Sequence, residues 1–197
     1  MVTRIGVLAS QGAFVEHINA LSRLKADAVP VRLPAEIAGI DGLIIPGGES
    51  TTMCSLMLDY QITGEIKRLA GTGLPVLGTC AGLVLLSRKL ANGRPEPLGL
   101  MDISVRRNAF GRQRESFETD LDIPALGDKP YHAVFIRAPV VEAAGEGVEI
   151  LARLDSGSIV AARQGGMVAT AFHPELTDDL RFHRYFLDIV AGKNDRG

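Results

Sequence analysis

Leu74-Pro75-Val76-Leu77-Gly78-Thr79-Cys80-Ala81-Gly82-Leu83-Val84-Leu85-Leu86 is the stretch that decides the fold class. Its first part, Leu74 to Gly78, reads as a short buried strand. Small residues then surround a cysteine, and the apolar run from Ala81 to Leu90 reads as a helix stopped by Asn92-Gly93. A strand that turns straight into a helix is the repeating unit of a parallel sheet with crossover connections.

The same rhythm runs upstream. Arg4 to Ala9 is a candidate first strand, and Gln11-Gly12 leads into a helix with Phe14, Ile18, Leu21 and Leu24 on one face. Val29 to Leu33 and Asp41 to Pro46 read as the second and third strands, and a long helix is expected from Thr51 to Ala70. Downstream the character changes. Asp102 to Val105, Ser116 to Ile123, Ala133 to Arg137, Val148 to Leu154, Ser158 to Arg163 and Met167 to Phe172 read as strands with no helices between them. Gln164-Gly165-Gly166 supplies a hairpin turn, and Thr177 to Val190 a closing helix. The expectation is an α/β protein: a three-layer, open, mixed but mostly parallel sheet flanked by helices, with antiparallel strands in the second half. No linker, repeat or low-complexity segment divides residues 1–197, so one domain is expected.

At 197 residues with 46% hydrophobic and 22% charged side chains, folding buries roughly 70% of the surface the unfolded chain exposes, so general disorder is excluded. A net charge of −2 with no run of like charge argues against a nucleic-acid surface. The short apolar run after Arg4 gives way to Gln11, which fits neither a secretory leader nor a membrane span, so a cytoplasmic protein is expected. Cys54 and Cys80 form no Cys-x-x-Cys pattern, and no metal site is expected.

Cys80 is the candidate nucleophile. In Gly78-Thr79-Cys80-Ala81-Gly82, small residues on both sides allow the strained turn that lifts a nucleophile from the carboxyl end of a sheet. An ordinary thiol is only a few per cent anionic near neutrality, and the N–H groups of a helix start favour the anion. The Ala81 N–H is a natural oxyanion donor. Cys54 sits mid-helix among Met53, Leu56 and Met57, where a small core residue is expected.

A cysteine nucleophile needs a histidine base. His17 and His183 fall in amphipathic helices, as surface or packing residues, and His132 precedes a strand without an obvious acidic neighbour. His173 ends a strand and is followed by Pro174-Glu175. Proline biases His173 toward extended geometry, and residues two apart then point the same way. Glu175 is thereby placed to bond one ring nitrogen while the other faces the thiol. A helix start is the plainer account of His-Pro-Glu, and the two are compatible.

Pro46-Gly47-Gly48-Glu49-Ser50-Thr51-Thr52 follows the third strand, where ligand loops of open α/β sheets lie. It matches neither phosphate-binding glycine motif. Its expected use is close backbone approach, with a second oxyanion donor from Gly47-Gly48. Pro46-Gly47-Gly48, the Cys80 block and His173-Pro174-Glu175 together resemble the three blocks of the class I, or triad, glutamine amidotransferases. Within that family the chain is similar to the glutaminase subunits of pyridoxal 5′-phosphate synthase. The similarity is carried by Gln11-Gly12-Ala13 with Glu16-His17, Gly47 to Thr52, Arg107 to Gln113, Phe135 to Pro139 and Phe172 to Thr177. Ser10 departs from the pattern, which calls for a larger apolar residue.

The resemblance implies a flavodoxin-like fold and a triad of Cys80, His173 and Glu175. It also implies a glutamine site lined by Gly48, Glu49, Ser50, Arg107, Ile136 and Arg137, the arginines gripping the α-carboxylate, and an oxyanion hole from Gly47, Gly48 and Ala81. The implied activity is hydrolysis of L-glutamine through a cysteine thioester, with no cofactor. Ammonia would pass to a synthase subunit that condenses it with ribose 5-phosphate and glyceraldehyde 3-phosphate. Two alternatives stay open: a glutaminase subunit of another pathway, and a noncatalytic binding or stress module on the same fold. No nucleic-acid or membrane partner is expected.

Overall fold

The computed structural model describes residues 2–91, 93–111 and 116–192. Arg112 and Gln113 of the resemblance blocks, and Asn92 of the expected helix stop, lie outside the described residues. The amino-terminal half alternates as the sequence predicts: β1 (Arg4–Leu8), α1 (Phe14–Arg23), β2 (Asp27–Val31), β3 (Gly42–Ile45), α2 (Ser50–Asp59), α3 (Ile62–Gly71), β4 (Val76–Thr79) and α4 (Ala81–Leu86). Strands follow almost without helices: β5 (Ser87–Leu90), β6 (Met101–Arg106), β7 (Ser116–Leu121), β8 (Tyr131–Ile136), β9 (Val140–Ala144), β10 (Glu149–Arg153), β11 (Ile159–Gln164) and β12 (Met167–Thr170). Helix α5 (Arg181–Val190) closes the described chain.

The main sheet runs β2-β1-β3-β4-β12-β11-β9-β6-β5, with β10 paired to β11. Strands β2, β1, β3, β4 and β12 are mutually parallel, and the β11–β12 and β6–β9 pairings are antiparallel. Strands β7 and β8 form a separate antiparallel pair. The central parallel strands are covered on both faces: β3, β4 and β12 are buried at every position, while β2 at the edge is largely open. Chain order reverses beside β1, whose neighbours are β2 and β3, and ligands of open α/β sheets bind at the carboxyl ends near such a reversal.

Three helix boundaries and one strand differ most from the sequence reading. The expected helix from Thr51 to Ala70 is two helices, broken where Gln61 takes left-handed φ of 57°. The expected helix from Ala81 to Leu90 stops at Leu86, and the chain enters β5 to pair with β6. Leu83 to Leu86 are buried on all sides, and such a run carries no periodicity to mark where a helix gives way to a strand. Strand β9 was not legible at all, since its outer residues Glu142 to Ala144 are exposed and its pairing with β6 and β11 is long-range. The closing helix begins at Arg181 rather than Thr177. Among the described residues, no helix is long and apolar enough to cross a membrane, and no group of three or more His, Cys, Asp or Glu could hold a metal ion.

Candidate active site

The carboxyl ends of β1, β3, β4 and β12 deliver Gln11, Gly47-Gly48, Cys80 and His173 in that order. Thr79 and Thr170 are partners in the β4–β12 register, and the Cys80 N–H donates to the Thr170 carbonyl at 2.7 Å. Cys80 therefore leaves β4 one residue past the pairing and His173 leaves β12 three residues past it, on neighbouring strands. Cys80 has φ 49° and ψ −98°, a conformation rarely open to a residue with a side chain. The elbow is made possible by close approach: a Cβ on Gly82 would run into the Ile45 carbonyl oxygen.

His173 is held from two sides. Its N–H donates to the Val134 carbonyl at 2.9 Å, and the ring Nδ1 pairs with Glu175 Oε1 at 2.7 Å. Pro174–Leu176 is a single 3-10 turn, so His-Pro-Glu is both a helical start and the bridge between ring and carboxylate. Tyr131, Phe135, Phe172 and Phe182, all buried, pack edge-on or tilted beneath this turn and set where it leaves the sheet.

Cys80 and His173 open onto one cavity of about 190 Å³, lined also by Gly48, Glu49, Ser50, Ala81, Arg107, Ile136 and Arg137. Val84, Asn108 and Pro139 complete the wall, which the sequence reading did not assign. Gly47 lies behind His173, where a Cβ would collide with the imidazole Cε1. Its carbonyl accepts from the Ala13 N–H at 3.2 Å, and Gln11 Oε1 accepts from the Glu49 N–H at 3.1 Å, so Gln11 to Ala13 brace the glycine loop. Because the peptide is trans, the Gly48 N–H points away from Ala13. Cys80 Sγ lies 3.7 Å from the Ile136 carbonyl, and Arg137 continues that wall with φ 43°.

Glu49 caps α2, accepting from the Thr51 and Thr52 N–H groups at 3.1 and 2.7 Å. Burial works against its charge, but these backbone donors and the Thr52 hydroxyl hold its carboxyl down to about 2. Arg107 turns onto this carboxylate at 3.1 Å and onto the Arg94 carbonyl at 3.1 Å.

The charges of the centre are set by opposition between burial and pairing. Burial disfavours a charged His173, yet hydrogen bonds to Cys80 and Glu175 overcome it and push the imidazole up to about 10. Burial likewise works against the Glu175 carboxylate, and His17 and His173 reverse the effect, leaving it below the usual carboxylate range.

The remaining histidines depart from the sequence reading. His17 and His183 are fully buried rather than partly exposed, and their rings meet at 2.9 Å, Nδ1 to Nε2. His132 is flanked by Asp120 at 2.9 Å and Glu118 at 3.0 Å, which the β7–β8 register brings alongside. Cys54 is half-buried on α2, its Sγ 3.5 Å from the Glu96 carbonyl, rather than in the core.

Comparison with known proteins agrees with this architecture. The SNO glutamine amidotransferase family model matches residues 7–191. A Pelotomaculum thermopropionicum protein called pyridoxal 5′-phosphate synthase subunit PdxT is 56% identical over 196 residues, covering 98% of this chain and 100% of its own. A Herpetosiphon aurantiacus protein of the same name is 55% identical, covering 94% of this chain and 99% of its own. A solved structure described as a glutamine amidotransferase superposes with a TM-score of 0.90 at 48% identity, covering 95% of this chain and 98% of the other. PurLQS from Thermotoga maritima, 15% identical with a TM-score of 0.69 and coverage of 95% and 99%, shares the fold. With the family match spanning nearly the whole molecule and relatives above half identity over the same length, this chain belongs to the SNO glutamine amidotransferase family.

Proposed function

We propose that this chain is the glutaminase subunit of a pyridoxal 5′-phosphate synthase, and that Cys80, His173 and Glu175 are its catalytic triad. The observation that carries the triad is the bond of His173 Nδ1 to Glu175 Oε1 at 2.7 Å, with Cys80 and His173 lining the same cavity. The subunit reading rests on relatives of that name at 56 and 55% identity.

The Cys80 thiolate attacks the side-chain amide carbon of L-glutamine, forming a C–S bond. The carbonyl electron pair moves to oxygen, where the Ala81 N–H and a Gly47-Gly48 N–H stabilise the oxyanion. The raised imidazole is protonated at neutral pH and donates to the departing nitrogen, which leaves as ammonia. The neutral ring then takes a proton from water as the oxygen attacks the thioester. Collapse releases glutamate and returns thiolate and imidazolium. Glu175 fixes ring orientation and stays ionised. Glu49, Ser50, Ile136 and the guanidinium groups of Arg107 and Arg137 hold the glutamine backbone, the arginines on its carboxylate.

The ammonia passes to a synthase subunit that combines it with ribose 5-phosphate and glyceraldehyde 3-phosphate. No cofactor serves the hydrolytic step on this chain. The reaction belongs in the cytoplasm, where the thiol stays reduced, and residues 1–197 act as one domain. The test is Cys80→Ala assayed together with the synthase. Glutamine-dependent pyridoxal phosphate synthesis is lost and ammonia-dependent synthesis survives. Undiminished glutamine-dependent synthesis overturns the assignment.

A further inference from the structure

Behind the triad, on the side away from the cavity, lies a second set of buried polar groups that the hydrolytic steps leave unused. His17 on α1 reaches under the sheet's rim. Its Nε2 lies 3.3 Å from Glu175 Oε2 and 3.2 Å from Thr79 Oγ1, and its Nδ1 lies 2.9 Å from Nε2 of His183 on α5. The His17, His183 and Glu175 side chains are all closed to solvent. Glu175 spends Oε1 on His173, whereas Oε2 has no hydrogen-bond partner, its nearest polar neighbour in the set being His17 Nε2 at 3.3 Å, a nitrogen whose hydrogen bond in this structure goes to Thr79 Oγ1.

Proton placement in this set is determined by elimination. Burial holds both His17 and His183 below the ordinary imidazole range, His183 down to about 3, so both rings are neutral and each carries one N–H. A bare His17 Nε2 would set a lone pair against a buried carboxylate oxygen, so the hydrogen sits on Nε2. His17 Nδ1 is then an acceptor, which requires His183 to carry its hydrogen on Nε2. That leaves His183 Nδ1 as a bare lone pair, and it is the ring nitrogen found buried without a partner. An unfilled acceptor is a smaller cost than an unfilled N–H donor, so of the two atoms of this set without a full hydrogen bond, Glu175 Oε2 and His183 Nδ1, the second falls where the chain of tautomers puts it.

We infer that His17 is a positioning residue for Glu175, presenting a neutral ring N–H to Oε2 while His183, donating to His17 Nδ1, locks the tautomer that makes this possible. Resting on the triad assigned above, this extends it to Cys80, His173, Glu175, His17 and His183, fed from α1, α5, the β4–α4 elbow and the turn after β12. Its role follows from geometry: Glu175 must keep Oε1 on His173, and a second contact on the opposite oxygen removes the carboxylate's freedom to rotate away. A neutral donor also supports the anion without competing for the proton that His173 carries. The charged and titratable groups facing this set are Glu175, His173 and Glu16 around His17, and His17 and Glu175 around His183.

The chain has four histidines, so imidazole 15N spectra of the full-length wild-type protein resolve each ring. The expected spectra show His17 and His183 both as the Nε2–H tautomer, unchanged from pH 6 to pH 8.5. A Nδ1–H or protonated signal for either ring in that range overturns the inference without touching the triad. Glutaminase assays of the chain with its synthase then separate positioning from packing. His17→Met lowers kcat about tenfold with KM within twofold and moves the His173 titration downward. His17→Gln, whose amide N–H falls near the former Nε2, restores most of both. Equal kcat and an unmoved His173 titration in His17→Met, or no rescue by His17→Gln in a folded protein, refutes the role. Failure of the triad assignment would instead appear as glutamine-dependent activity surviving Cys80→Ala.

Discussion

Thr79 and Thr170 stand opposite one another on the parallel strands β4 and β12, and the Cys80 N–H one residue on still bonds to the Thr170 carbonyl at 2.7 Å. The ladder thus continues to the thiol itself, so the sulfur is positioned by sheet geometry rather than by a loose loop. His173, three residues beyond Thr170, inherits the same frame and is turned toward the cavity by its bond to Val134.

The space behind the imidazole is already full. A Cβ on Gly47 would meet the His173 ring, with 3.4 Å to the Cys80 Cβ. Gly47→Ala should displace the ring by a fraction of an ångström or more and lower kcat by about 10²-fold, with little change in thermal stability. Steady-state glutaminase assays and a melting curve check this. Unaltered kcat would show the ring has room to give.

The thiol–imidazole–carboxylate set links stability to pH. The folded-state His173 value near 10 exceeds its unfolded 6.5, so its stabilising effect is complete below pH 6.5 and is lost as pH rises through about 10. Wild type should lose more Tm than His173→Gln between pH 6.5 and 10.5. Parallel Tm profiles for the two proteins would contradict the shift.

Glu49 has two duties, capping α2 and anchoring Arg107. Glu49→Ala should cost about 1 kcal/mol through the lost cap and raise KM for glutamine as Arg107 loses an anchor. Its depressed carboxyl makes the stabilisation present above the unfolded 4.5 and lost as pH falls toward 2. Urea titrations at pH 7 and at pH 2.5 should therefore separate wild type from the variant at the first and bring them together at the second.

Arg181 ties α5 to the β8 end of the molecule. Its guanidinium donates to the Lys129 and Pro130 carbonyls at 2.6 and 2.9 Å, pairs with Asp179 and lies 5.6 Å from the Tyr131 ring centroid. Arg181→Ala should lower stability by about 2 kcal/mol and leave kcat within twofold, because Arg181 does not line the cavity. A matched pair of denaturant titration and activity assay distinguishes this clamp from a part in chemistry.

What could be read from residues alone was whatever local chemistry encodes. Gly78-Thr79-Cys80-Ala81-Gly82 needs small neighbours for its own turn, and His173-Pro174-Glu175 places ring and carboxylate two residues apart, so both declare themselves within five residues. Illegible features depended on partners far along the chain. The burial of His17 and His183 follows from α1 and α5 meeting across 166 positions, and the acids beside His132 follow from the β7–β8 register. The stop of α4 at Leu86 depends on β6 being present to receive β5, which no run of leucines announces.

Strand β12 lies between β4 and β11, although almost ninety residues of chain separate it from β4. During synthesis Cys80 emerges long before His173, and before the strand that stands between β4 and β11. Under the proposed triad, a growing polypeptide therefore carries a thiol without its imidazole and carboxylate until His173 and Glu175 have left the ribosome and β12 has joined the sheet.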